Sequence, residues 1–297
     1  MFKVSVGLNY ILVDIHTDDF DLAGTHEPMM NCFVDCVKDR WKIKMTDVGY
    51  VLGVTRTHTI KPDGVHMIEH TMTAYIDGLC VAYEEHLKLQ GWGTKKPRVP
   101  FPEDGHLLTL YDPAGDVDPA EVKKVQGYGY QNLFGCLVWP CRNTHDEGKP
   151  GISILGRMMS KPTLKAWKAA IHLLAWLQSQ RLRGVAFRSD GNLILEATCD
   201  ASNHTDPKDA KALVGYTMHL AGGPIASSSQ KFVRSVSAPG HEYLALYPCA
   251  THIIWFRQLV IELGLAEVFL NGPTVLRCDN AVAIDWVKFG KVTPGNR

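Results

Sequence analysis

Ala212-Leu213-Val214-Gly215-Tyr216-Thr217-Met218-His219-Leu220, then Gly222-Gly223, then Pro224-Ile225-Ala226-Ser227-Ser228-Ser229-Gln230-Lys231 is the stretch whose reading decides the fold. Two β-rich runs joined by a glycine pair predict a hairpin. Upstream, Leu193-Ile194-Leu195-Glu196-Ala197-Thr198-Cys199-Asp200 is an extended run closed by an acid. Downstream, Phe232 to Val236 reads as a third strand, and a helix starts near Pro239 with Glu242 at its opening. Thr274-Val275-Leu276-Arg277-Cys278-Asp279-Asn280 is a short strand ending on Asp279. The order strand–hairpin–helix–strand predicts an α/β block that begins near Phe187.

Asp200, Glu242 and Asp279 therefore fall at strand ends and a helix start. Carboxylates converging from such positions form a hard-oxygen site suited to Mg²⁺. Two such ions can clamp the attacking and leaving oxygens of a phosphodiester. Taken alone, each acid reads as an N-cap or turn carboxylate; their shared context gives them chemistry.

With 297 residues the chain is long enough for one large or two ordinary domains. Its 45% hydrophobic and 21% charged content is that of a globular chain. Net charge is zero, so a whole-chain basic footprint for nucleic acid is missing, although a local groove can still be basic. The basic runs Lys95-Lys96-Pro97-Arg98 and Gln180-Arg181-Leu182-Arg183 read as solvated surface. The eight cysteines form no disulfide or zinc framework: Cys136 and Cys141 lack a partner pair, and Cys32 and Cys36 lie one helical turn apart. All eight are expected to be reduced, which places the protein inside the cell, in cytoplasm or nucleus. No apolar run is expected to reach the length of a membrane span, and Met1-Phe2-Lys3-Val4 does not open a signal peptide.

The first segment reads strand–turn–strand–helix: Tyr10–Ile15, Asp18-Asp19, Phe20–Gly24, then a helix from about Glu27 to Lys42 with Met30, Phe33, Val34 and Val37 on one face. Tyr50–Val54 and Val65–Ile68 predict a strand pair around Pro62-Asp63-Gly64. Thr71 to Leu89 reads as one helix, and Gly91 to Pro119 as a Pro/Gly-rich linker. Tyr130–Gly135 is helical by pattern, and a loop follows through Asp146-Glu147-Gly148. Pro162–Gln180 is the clearest helix, with Leu164, Trp167, Ile171, Leu174 and Leu177 as a buried stripe of core rather than a cofactor box.

In the C-terminal block the residues resemble the RNase H domain of Ty1/copia-type retrotransposon pol polyproteins. The resemblance rests on Cys199-Asp200-Ala201, Gly222-Gly223-Pro224-Ile225 with Ser228-Ser229, His241-Glu242-Tyr243-Leu244-Ala245-Leu246, Ile254–Leu259 and Cys278-Asp279-Asn280-Ala281-Val282-Ala283-Ile284, all in order. It implies Asp200, Glu242 and Asp279 as ligands of Mg²⁺, with Mn²⁺ as a substitute, and cleavage of the RNA strand of an RNA–DNA hybrid. Upstream, Ile15-His16-Thr17-Asp18-Asp19-Phe20 looks like the Tyr-x-Asp-Asp hairpin of the same family's reverse transcriptase, where Asp18 and Asp19 would be catalytic metal ligands. Tyr50–Val54 and Tyr75–Leu79 match the segments that follow it. The implied organisation is a palm and thumb remnant (1–90), a linker (91–119), a helical connection (120–186) and an RNase H-like domain (187–297). The implied fold class is α/β, an α+β remnant followed by a mixed sheet flanked by helices.

Several departures bear on activity. His16 replaces the usual aromatic residue, and the chain is expected to start after the first palm aspartate, so polymerase activity is not expected. It is also expected to stop short of a fourth RNase H acid. Pro248 inside the helix opened by Glu242 predicts a kink or break near Tyr247, which would shift Glu242. Three functions compete: a two-metal hybrid nuclease, an inactive or repurposed fragment that binds nucleic acid, protein or other polyprotein parts, and an unrelated integrase or resolvase. The third is disfavoured by the Asp18-Asp19 segment.

Overall fold

The computed structural model describes residues 1–17, 19–44, 49–92, 96–101, 117–202, 212–232 and 236–290. The first elements are strands β1 (Phe2–Val6), β2 (Asn9–His16) and β3 (Asp19–Gly24), helix α1 (Glu27–Lys38), and strands β4 (Tyr50–Val51), β5 (Val54–Ile60) and β6 (His66–Thr71). A helical stretch follows: α2 (Thr73–Ala82), α3 (Glu84–Leu89), α4 (Pro119–Gly127), α5 (Tyr130–Asn143), α6 (Lys149–Leu155) and α7 (Leu164–Gln180). The chain continues with β7 (Gly184–Arg188), β8 (Glu196–Ser202), β9 (Leu213–Leu220), β10 (Gly223–Lys231), α8 (Ala238–Glu262), α9 (Ala266–Phe269), β11 (Val275–Arg277) and α10 (Ala281–Phe289). It is a mixed α/β protein with three sheets among the described residues.

Contacts group Met1–Asp47 with Trp255–Asn271, and Val48–Ile254 with Gly272–Arg297. The first group holds the antiparallel sheet β1-β2-β3. Strand β1 was not expected, although Phe2-Lys3-Val4-Ser5-Val6 alternates apolar and polar residues at the period of a strand; Phe2, Val4 and Val6 are exposed. Tyr10 and Leu12 pack on Val260, Leu263 and Leu265. Helix α1 ends at Lys38, short of the expected Lys42.

The second group holds two sheets. In the first, β4-β5-β6-β7, every neighbour is antiparallel. The expected pair around Pro62-Asp63-Gly64 forms, but between Val54–Ile60 and His66–Thr71. The chain already turns once at Leu52 (φ 52°) and Gly53 (φ 82°), where Trp139 Nε1 donates to the Leu52 carbonyl at 2.8 Å. Strand β7 pairs with β6 at a distance in sequence that no local pattern encodes. The second sheet, β10-β9-β8-β11, is mixed, with β8 and β11 parallel.

Helix α7 is the centre of the core. Eleven of its seventeen residues are buried, a wider face than the predicted stripe. Its first turn is satisfied twice: Thr163 Oγ1 accepts the Ala166 N–H at 3.1 Å, and Glu121 Oε1 accepts the Leu164 N–H at 2.6 Å. Around it pack Met72, Ile76, Leu133, Leu137 and Leu155, all 2% exposed or less. The stretch expected to be one helix, Thr71 to Leu89, divides at Tyr83, whose non-helical φ of −115° places its ring against Trp167. Within the expected linker, His172 Nε2 donates to the Val99 carbonyl at 3.0 Å and Ser179 Oγ lies 3.3 Å from the Pro97 carbonyl, so this described piece runs along α7. The run Gln180–Arg183 is engaged internally: Arg181 pairs with Asp77 and Arg183 with Glu147.

His145 is 1% exposed beside this core. Its Nε2–H donates to the Gln180 carbonyl at 3.2 Å, which leaves Nδ1 to accept the Thr144 hydroxyl at 2.8 Å: a neutral imidazole. Burial holds its pKa below the usual value. The unfolded chain takes up the proton first, so stability is expected to fall as pH drops below about 6.5. Urea midpoints should decline on acidification through that point, and less so in His145→Gln. Equal declines in both proteins would exclude this role.

The β9–β10 hairpin turns at Ala221-Gly222, one residue earlier than the expected Gly222-Gly223. Both turn residues have positive φ (53° and 83°), the two-residue type I′ geometry that matches strand twist. Gly223 is instead a paired strand residue, because a Cβ there would come within 2.7 Å of the Ala186 carbonyl. Ala221 is strained in the left-handed region, so Ala221→Gly is expected to stabilise by about 1 kcal/mol. A thermal melt that is unchanged or lowered would contradict this. Of the expected third strand (Phe232 to Val236), residues 233–235 lie outside the described residues, and Phe232 and Val236 are not in a strand.

Pro248 does not break its helix, contrary to expectation. Helix α8 runs without interruption from Ala238 to Glu262. An interior proline costs about 3 kcal/mol, yet the helix continues through it, with Ala245 and Cys249 on either side both 0% exposed. At 25 residues α8 is, among the described residues, the one helix long and apolar enough to cross a membrane, against the expectation of none. It packs through buried His241 and Glu242 and a hydrogen bond of 2.6 Å between His252 Nδ1 and the Tyr216 hydroxyl on β9, while Tyr247, Ile254, Trp255 and Ile261 on it are exposed.

Candidate metal centre

Strand β8 alternates cleanly. Ala197, Cys199 and Ala201 are buried, while Thr198 and Asp200 point the other way and are exposed. Asp200 lies within the strand, which continues to Ser202. The parallel register Val275↔Glu196, Leu276↔Ala197, Arg277↔Thr198 ends there. Carried two residues further, it sets Cys278 beside Cys199 and Asp279 beside Asp200. Asn280 then caps α10, its Oδ1 accepting the Ala283 N–H at 3.0 Å. Asp279 is thus fixed in the short passage between a strand end and a helix cap.

Glu242 comes from the other side, in the second turn of α8 rather than at its first residue. The helix start is anchored by His241, fully buried, whose Nε2 accepts the Val236 N–H at 3.1 Å. Tyr243 meets Trp286 edge-on at 5.8 Å between ring centroids, which sets α8 against α10. Glu242 is 9% exposed. Its carboxyl lies within hydrogen-bonding reach of the Ala201 N–H and the Asp200 side chain, yet its Oε2 is buried with no hydrogen-bond partner.

Ligand atoms of Glu242, Cys278 and Asp279 all lie within 4.8 Å of one another. Asp200 touches Glu242 but does not join this mutually close trio. Burial, then the charges of Asp200 and Asp279, push the Glu242 carboxyl up to about 7. A carboxylate left so poorly solvated, with an orphaned oxygen, is chemically matched to a divalent cation. Of the three predicted acids, Glu242 and Asp279 belong to the trio and Asp200 does not; Cys278 was not singled out. Its signal was a thiol directly before a carboxylate at a strand end. Cys199 lies beside it, with Sγ 3.7 Å from the Arg277 carbonyl, and burial pushes that thiol up to about 12.

The second predicted acidic pair is described only in part. Asp18 lies outside the described residues, as does the Asp19 side chain; the Asp19 backbone pairs with His16 across the β2–β3 hairpin.

Comparison with known proteins agrees with the lineage suggested by the motifs. The chain is 25% identical over 285 residues to the retrovirus-related Pol polyprotein from transposon RE2 of Arabidopsis thaliana, covering 95% of this chain and 18% of that polyprotein. Against the corresponding polyprotein from transposon RE1 of the same plant it is 24% identical over the same 95%.

This chain is a retrotransposon Pol relative.

The Pol polyprotein from transposon TNT 1-94 of Nicotiana tabacum is 27% identical over 161 residues, 54% of the Pol relative and 12% of that polyprotein. The Pol relative thus spans less than a fifth of the length of these curated proteins. No family model matches it, and no solved structure matches it significantly.

Proposed function

We propose that this Pol relative carries a ribonuclease H-like site that hydrolyses the RNA strand of an RNA–DNA hybrid with Mg²⁺, or with Mn²⁺ in its place. The observation that carries the reading is the Glu242 carboxylate, buried beside Asp200 and Asp279 with one oxygen lacking any hydrogen bond. Glu242, Asp279 and Asp200 would hold the cation. When bound, it supplies charge neutralisation at the scissile phosphate and acidifies a coordinated water. The chain's own part is positioning: α8 carries the buried Glu242, while the exposed Asp200 and Asp279 would meet a phosphodiester. Hybrid choice would rest on the 2′-hydroxyl, the group that separates RNA from DNA.

On this reading residues 1–90 descend from a palm and thumb, 91–119 form a linker, 120–186 a connection and 187–297 the nuclease. The protein would act in the cytoplasm or nucleus, on nucleic acid and beside other polyprotein parts. Polymerisation is left out, because the roles of Asp18 and Asp19 rest on sequence alone. A second reading, a fragment that binds nucleic acid or protein without cutting, is favoured by Asp200 standing outside the close trio.

A labelled hybrid incubated with purified protein and Mg²⁺ separates the two. RNA-strand cleavage that disappears in Asp200→Asn supports the nuclease. Binding without cleavage, or cleavage indifferent to Asp200→Asn, removes it.

A further inference from the structure

We propose that Cys278 turns this centre into a site for a thiophilic divalent cation of the Zn²⁺ and Cd²⁺ class, which competes there with Mg²⁺. The inference rests on the metal-site reading above and extends it to a different ion. Its geometric basis is that the Cys278 sulfur and one oxygen each of Glu242 and Asp279 lie within 4.8 Å of one another. The independent pointer is the Glu242 Oε2 atom, unpartnered on a side chain nine-tenths buried and set into the same cluster.

The two ion classes would use different donors. Mg²⁺ demands oxygen at about 2.0–2.1 Å and keeps several waters, so it draws on the carboxylates and leaves the thiol aside. Zn²⁺ accepts sulfur at about 2.3 Å together with carboxylate oxygen, and thiolate ligands select soft ions over Mg²⁺. A softer ion would take Cys278, Glu242 and Asp279, with solvent or Asp200 completing a four-coordinate shell. Its binding releases the Cys278 thiol proton, together with any proton still held by the Glu242 carboxyl, to solvent and leaves the two carboxylates and one thiolate around a divalent charge. Cys199 is not a member of the trio, although its thiol lies within hydrogen-bonding reach of Cys278 and also approaches the Arg277 carbonyl at 3.7 Å.

Cys32 and Cys36 are exposed one turn apart on α1 and would bind soft ions on their own. The test therefore uses the full chain with both replaced by Ser, titrated with Cd²⁺ alone while the ultraviolet thiolate-to-cadmium charge-transfer band is followed. One equivalent of Cd²⁺ is expected to produce the band, and Cys278→Ser to remove it while Mn²⁺ binding persists. Glu242→Gln, which leaves every thiol in place, should weaken Cd²⁺ binding by at least the roughly 10–100-fold typical of outer-shell partners. A band that survives Cys278→Ser, or Cd²⁺ affinity unchanged by Glu242→Gln, overturns the proposal. Mn²⁺ that fails to bind while the Cys278-dependent band appears would sink the nuclease reading and the competition with Mg²⁺, and support the soft-ion site alone.

Discussion

Glu242→Gln is expected to lower Mg²⁺-dependent hybrid cleavage by about 100-fold or more and, in the same protein without metal, to raise stability near neutral pH. The first effect follows from removing a first ligand, which should cost at least as much as the outer-shell partners that tune metal sites. The second runs against the usual penalty for altering a buried polar group. In the folded protein the Glu242 carboxyl keeps its proton up to about pH 7, whereas the unfolded chain loses it near the ordinary value of 4.5. Between those values the folded state binds more protons, so this group's contribution to stability declines as pH rises from about 4.5 through 7. A Gln at 242 carries no charge and escapes that decline. The full linkage amounts to roughly 3 kcal/mol. Because Asp200 and Asp279 open the site to solvent, about 1–2 kcal/mol is the expected gain. Urea unfolding in chelator, compared just above neutral and near pH 5, measures it. A variant less stable than the parent at both values would mean that Glu242 is a structural hydrogen-bonding residue.

Leu174→Ala is expected to be the most damaging change outside the site. Leu174 is 0% exposed in the middle of α7, within the cluster that joins α2, α3, α5 and α7. Loss of its side chain removes transferred apolar surface and leaves a cavity that neighbouring aromatic and branched side chains cannot all collapse into. Leu→Ala changes in such positions cost about 2–5 kcal/mol. The loss should appear as a lower denaturation midpoint with an unchanged slope. A shift worth less than about 1 kcal/mol would show that α7 is not the centre of the cooperative core.

The contrast between what the sequence foretold and what it missed has a physical pattern. Helix α7 was readable because its apolar period and first-turn signals are local. The β9–β10 hairpin was readable for the same reason, but the turn slipped by one residue. Composition favours two glycines at a turn, whereas the fold needs Gly223 for its close approach to the Ala186 carbonyl. Tyr83 divides a helix for the sake of a tertiary contact with Trp167, and β7 joins β6 across more than a hundred residues. Neither has a local signature. At Pro248 the local sequence shows the intrinsic penalty but not the tertiary setting in which the helix continues through it.

The candidate site divides in the same way. The order of Asp200, Glu242 and Asp279 pointed to a convergence, and the parallel register of β8 and β11 supplies half of it. The burial of Glu242, the position of Asp200 beside the close trio and the entry of Cys278 into that trio depend on side-chain placement that spacing cannot encode.

The most direct test of the metal centre is Mn²⁺ binding, followed by the electron paramagnetic resonance signal of the free ion. The metal-centre reading predicts saturable binding to the parent protein, strongly weakened in both Glu242→Gln and Asp279→Asn. Binding that is absent, or equal in all three proteins, would contradict it.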